Sequence, residues 1–313
     1  MESQSASSSN RRELPGLRPH LATILQPCRH RQPLPERPGA CLLATMNMLI
    51  HVLRLLPVLC FLCASAPAVR AESPAPRPYE PSFETLSKIT QELHQALDDK
   101  RRRLVSPDPQ VLTAAKGFFL TPVSGEGSAP NAVAVSPTFV AGLNQLAHAR
   151  ALEPATSGYF AQYTLALPKD AAQPWESVGR TLPAEHAWNF DVMNHQASLF
   201  NQMAGTLIAI QMAHHYLGHA KKLPAGATDG ANPAPTIAER VSEKEWREAV
   251  LKGAKNALDC GLGTEGFRAL LGAAGMSSSR ATWSACIVHP KADLTKLSRE
   301  LEKLEKDFFL VGE

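Results

Sequence analysis

The chain has 313 residues, with 32 Lys and Arg against 29 Asp and Glu, a formal net charge of +3, and 44% hydrophobic residues. The charge is unevenly placed: residues 1–71 hold 8 basic and 3 acidic side chains, which leaves 24 against 26, a net of −2, for residues 72–313. That balance excludes a basic surface built for nucleic acid or an anionic membrane.

Residues 1–45 are rich in Ser, Pro and Arg and have little apolar periodicity. They read as a disordered extension, or as the product of a start placed upstream of the true one. From Met46 the character changes. His51 and Arg54 form a short basic region, Leu55 to Ala66 an apolar core, and Val69-Arg70-Ala71 a small-residue end. Residues 46–71 therefore read as a secretory signal peptide cleaved after Ala71, with export to the periplasm or medium as the expectation. An uncleaved anchor is the competing reading, although the apolar run is shorter than the roughly 20 residues a spanning helix needs. Neither Cys60 nor Cys63 follows a lipobox. Only Cys260 and Cys286 lie beyond the signal. In an exported chain such a pair reads as one disulfide, worth about 3 kcal/mol by loop entropy, or else as two buried thiols.

The remainder is long enough for one domain over 82–313, after a Pro-rich linker at 72–81. Ser82 caps a helix over about 83–102, with Phe83, Leu86, Ile89, Leu93 and Leu97 on one stripe. Its basic end, Lys100 to Arg103, suits a helix C-terminus in solvent. Short apolar runs at Val111-Leu112, Phe118 to Leu120 and Ala132 to Val135 predict short strands or a hairpin within 106–135. Residues 139–152 read as a helix, and 158–168 alternate as a strand. Residues 169–189 read as loop, anchored by Trp175 and Trp188. A long helix over 191–220 follows, capped by Asp191 or Asn194. Asn201, Gln202 and Gln211 lie within its apolar run, so it reads as a buried helix of a globular domain rather than a membrane span. After a Gly/Pro/Ala loop at 223–237, the pair Ser242 and Glu245 forms a capping box for a helix to Asp259, stopped at Gly261. Thr264 caps a short helix over 265–273. Asp293 starts a last amphipathic helix carrying Leu294, Leu297, Leu301, Leu304 and Phe308. The expected fold class is α+β, mostly α: a central histidine-bearing helix packed by the helices at 139–152, 243–259 and 293–308, with a small sheet from 106–168.

The chemistry concentrates at the end of the long helix, in His214, His215 and His219. On a continuous helix His215 and His219 share a face, the spacing by which one helix offers two imidazoles to one metal ion. Two hydrogen-bonded structural histidines have the same spacing. His215-Tyr216-Leu217-Gly218-His219 carries the frame H-E-x-x-H with Tyr in place of Glu. Met212 to His219 also resembles the A-H-E-x-G-H segment of the HtpX-type and CAAX-prenyl-protease-type zinc metallopeptidases, a gluzincin family. Asn131-Ala132-Val133-Ala134 with Gly142-Leu143 upstream, and His289-Pro290 downstream, resemble further segments of that family in the same order. The resemblance spans about 131–304.

It implies a zincin-like domain, a zinc ion on His215 and His219, and a protein or peptide ligand. It also exposes departures. The family's Glu is the general base that deprotonates zinc-bound water. Tyr216, with an ordinary phenol pKa near 10, is a poor base and is suited to an oxyanion hydrogen bond or to plugging the pocket. The family's third ligand lies four residues before an Asp; matching that Asp to Asp259 puts Lys255 at the ligand position. Glu245, Glu248, Asp259, His214 and His289 are ligand candidates by chemistry alone. The remaining histidines, His94, His148, His186 and His195, read as surface or structural. No serine-nucleophile, phosphate-loop or dinucleotide motif is present. The implied function is an exported metallopeptidase-like protein without the standard catalytic Glu, a pseudo-enzyme binding protein or peptide. The alternative is a non-enzymatic periplasmic helical domain with structural histidines.

Overall fold

A computed structural model describes residues 80–113, 117–125, 130–167, 184–223, 236–276 and 282–311. They belong to one compact unit, Ala75–Glu313. The expected extension, the signal peptide, the linker to residue 79, Trp175 and most of the loop at 223–237 lie outside the described residues.

Ser82 and Thr85 form a reciprocal capping box for α1 (Phe83–Gln95), which buries Leu86, Ile89 and Leu93. The helix stops short of the expected residue 102, because the Asp98 side chain accepts from Arg101 N (2.9 Å) and restarts the chain as α2 (Asp99–Arg102). Three short strands follow: β1 (Gln110–Val111), β2 (Leu120–Val123) and β3 (Ala132–Val135), in the order β1-β3-β2. β3 is central and buried throughout. It runs parallel to β1, with Gln110 opposite Ala134, and antiparallel to β2, with Val123 opposite Ala132. The Ser136 hydroxyl then accepts from Phe139 N (3.0 Å), which caps α3 (Pro137–Ala151), and donates to Gly117 O (2.7 Å), which binds the sheet to the helix start.

The strand expected at 158–168 is a helix, α4 (Tyr159–Ala166). Glu153 decides this: its two carboxylate oxygens accept from Gly158 N and Phe160 N at 2.8 Å each. Tyr159, Phe160, Tyr163 and Thr164 are the buried positions, a helical spacing that the sequence alternation masked. Within the expected loop, α5 (Ala184–Ala187) brings Trp188 flat against His148, with ring centroids 4.0 Å apart, while His148 Nε2 hydrogen-bonds Ala187 O at 2.7 Å.

α6 (Phe190–Tyr216) is capped by Asn189, not by Asp191 or Asn194; the Asn189 side chain accepts from Val192 N at 2.9 Å. From Leu199 to His215 nearly every residue of α6 is buried. A 3-10 turn (His219–Lys222) follows, then α7 (Ile237–Arg240), α8 (Glu243–Asp259), α9 (Glu265–Met276), α10 (Thr282–Ala285) and α11 (Leu294–Val311). α6 is the hub: α8, α3, α9 and α1 all pack on it. α11 packs on α8 and α9. The Ser242–Glu245 capping box forms as expected, and Gly261 (φ 80°) ends α8. Leu262 N bonds Ala257 O and Gly261 N bonds Leu258 O, which satisfies two of the last carbonyls. The domain is thus mostly helical with one small sheet, and among the described residues no helix is long and apolar enough to cross a membrane.

The expected disulfide is not formed. Cys260 and Cys286 are free thiols held at different places. Cys260 Sγ donates to Glu92 O (3.4 Å) at the foot of α1, beside Asn256, whose side chain donates to Leu93 O (3.2 Å). Cys286 Sγ donates to Trp283 O (3.1 Å). Burial is the main cause that pushes both thiols up to about 12, so neither forms a reactive thiolate at neutral pH.

The closest helix approach sets the first prediction. A Cβ placed on Gly253 of α8 would lie 2.6 Å from the backbone N of Ile210 on α6. Gly253→Ala must push two long helices apart and should destabilise the fold by about 1–3 kcal/mol in urea unfolding.

Candidate functional site

α6 ends inside the histidine motif. Leu217 is its C-cap, and Gly218 adopts φ 79°, the left-handed turn that glycine makes without a Cβ penalty. Leu217 N bonds Ala213 O and Gly218 N bonds His215 O, both at 2.9 Å, so the helix closes before His219. His215 and His219 therefore do not stand one above the other on a helix. The chain reverses at Gly218 and brings His219 back towards His214, with Nδ1 to Nδ1 at 3.1 Å and ring centroids 5.3 Å apart.

All three rings are buried. The two Nδ1 atoms of His214 and His219 share one proton as a hydrogen bond. His214 Nε2 has no partner and no contact with solvent. The less costly arrangement has His214 Nδ1–H donating to His219 Nδ1, which leaves a bare lone pair rather than an unpaired N–H at that buried atom. Burial, reinforced by the neighbouring imidazoles of His219 and His215, lowers His214 to about 3. His215 has a different partner: its Nε2–H donates to Ala132 O at 2.8 Å, across 83 residues of chain, and binds the end of α6 to β3. Burial lowers His215 to about 4, although the carbonyl favours its proton. His219 is lowered by burial, against the attraction of Glu245 and Glu248.

Tyr216 is half-buried beneath Arg101, whose guanidinium carbon sits 5.1 Å from the ring centre. Burial raises its phenol to about 12, further from any role as a base than a free tyrosine. The carboxylates are engaged elsewhere. Both Glu245 oxygens accept from Lys222 Nζ at 2.7 Å, and Oε2 also accepts from Ser242 N at 2.8 Å. These bonds, with Lys222 first, hold Glu245 at about 2. Asp259 pairs with Lys255 at 3.0 Å on the exposed side of α8. Glu248 lines an open groove with Lys244, Lys252 and Leu304. His289 is buried with its ring 6.2 Å from that of Trp246.

The structure thus pairs His214 with His219 and gives His215 a separate partner on the sheet. His215 Nε2 holds its proton against Ala132 O, which leaves Nδ1 as the acceptor of that ring. Among the described residues, no three His, Cys, Asp or Glu side chains converge to hold a metal ion. The partners that sequence reasoning passed over are Ala132 O, Arg101 and Lys222. Ala132 offers only a backbone atom, which carries no side-chain signal. Gly218 did carry one, as a glycine just past the C-cap of the long helix.

Comparison with protein-family models, with curated proteins and with solved structures returns no match for this chain.

The buried rings predict acid sensitivity. In the folded chain His214 and His215 stay neutral down to about pH 4, whereas unfolded histidine protonates near 6.5. Between those values the unfolded state binds more protons, so stability is fully present above about pH 6.5 and falls as pH drops towards 4. Urea midpoints across that interval check this. His215→Gln, which keeps an N–H donor but does not titrate, should reduce the pH slope by up to about one proton.

Proposed function

We propose that this chain is an exported, non-hydrolysing domain of zincin-like ancestry that acts by binding protein or peptide, and that its histidine cluster has become a structural fastening. The observation that carries the reading is the hydrogen bond from His215 Nε2 to Ala132 O, together with the break at Gly218 that sends His219 to His214 instead. The two residues that would hold zinc in the resembled family are thereby turned to different partners, His215 Nε2 to the sheet backbone and His219 to His214. Tyr216, at the general-base position, lies under Arg101 with a phenol raised away from neutrality. Lys255, at the third-ligand position, pairs with Asp259. Every position that hydrolysis requires has thus acquired a structural partner or the wrong charge. Export rests on the apolar stretch and small-residue end of residues 46–71.

The test is metal content. Protein purified without a histidine tag should contain well under one equivalent of zinc by elemental analysis, and Tyr216→Glu should not create peptidase activity. About one zinc per chain, lost in His215→Ala and His219→Ala, would overturn the reading. His215→Ala should instead lower stability by about 1–3 kcal/mol, because Ala132 O is left buried without a donor.

A further inference from the structure

Beyond the histidine fastening, one cavity combines enclosure with polar groups. It has a volume of about 310 Å³ and lies between α7, α9, α10 and the segment that leads into α11. That size is at the lower end of ligand pockets, which are mostly apolar with a few polar groups that fix orientation. Ala274, Val288, Pro290 and Leu294 supply apolar lining, and His289 and Glu239 supply two opposite polar characters.

The polarity of His289 follows from its backbone. Lys291 N donates to His289 Nδ1 at 3.1 Å. With Nδ1 accepting, the neutral ring carries its proton on Nε2, so the other polar edge of the ring is a donor. Glu239 is exposed on α7 and is the acidic residue among those lining the same cavity. A ligand matching all three features has a cationic group for Glu239, an oxygen acceptor for His289 and a compact aliphatic body for the apolar lining.

We propose that this cavity binds an apolar α-amino acid unit with a free amine: the amine on Glu239, the carbonyl or carboxylate oxygen on His289 Nε2–H, and the side chain against Val288 and Leu294. Two sources have this chemistry, a free hydrophobic amino acid and the amino-terminal residue of a peptide. The proposal names the ligand chemistry for the binding role above and rests on that role. It does not use His214, His215 or His219, so zinc analysis and ligand titration fail separately.

Isothermal titration of the purified protein with L-leucine, the tripeptide Leu-Gly-Gly and N-acetyl-L-leucine tests it. At least one of the first two should bind with Kd below about 1 mM, and N-acetyl-L-leucine, which lacks the cation, at least about tenfold more weakly. Binding of L-leucine alone assigns the free amino acid, and binding of Leu-Gly-Gly with equal or greater affinity assigns a peptide terminus. Glu239→Gln changes an exposed side chain and should weaken the unacetylated probes about tenfold or more while leaving the melting temperature unchanged. Val288→Phe, which fills the cavity, should abolish binding, with its fold checked by circular dichroism; if it fails to fold, the Glu239→Gln result decides. No binding of either unacetylated probe overturns the proposal. So does an affinity within about twofold of wild type in Glu239→Gln or in folded Val288→Phe.

Discussion

The hydrogen bond from His215 to Ala132 O joins two elements of different character across 83 residues of chain, a short sheet and a long central helix. A buried carbonyl at the start of β3 needs a donor, and the buried end of α6 holds a side chain whose polar atoms need a partner. Each removes the other's desolvation cost. With that bond made, the last turn of α6 is fixed against the sheet. Gly218 then directs the chain sideways, and Lys222 anchors the outgoing turn to Glu245 at the start of α8. The helix end is therefore held from three directions by a sheet carbonyl, by the His214–His219 contact and by an ion pair.

That arrangement changes what the motif means. The spacing of His215 and His219 implies convergence only while the backbone between them stays helical. One glycine with positive φ is enough to remove it. The histidine that fits no motif, His214, becomes the one that His219 meets. Burial keeps all three rings away from the cationic form. The cluster suits a dry, neutral fastening better than a solvated, exchangeable ligand site.

Most of the helical framework was legible in the sequence, because its signals are local. Ser82, Ser242 and Gly261 act within a turn of their own positions, and the apolar runs of β2 and β3 are short and continuous. The failures came from partners outside the segment being read. The strand expected at 158–168 became α4 through Glu153, outside the alternating segment, and the cysteines found backbone acceptors on separate elements instead of each other. The site was least legible for the same reason. Its decisive acceptor is a main-chain oxygen, and its decisive turn depends on one dihedral angle.

The contacts at the foot of α1 set an order of assembly. The acceptors at Glu92 and Leu93 are closed by Cys260 and Asn256, which lie 168 and 163 residues further along the chain. During synthesis α1 thus cannot complete its packing until α8 has been made. Until then the carbonyls of Glu92 and Leu93 keep their hydrogen bonds to water, so this end of the described fold is sealed only by contacts of long sequence separation.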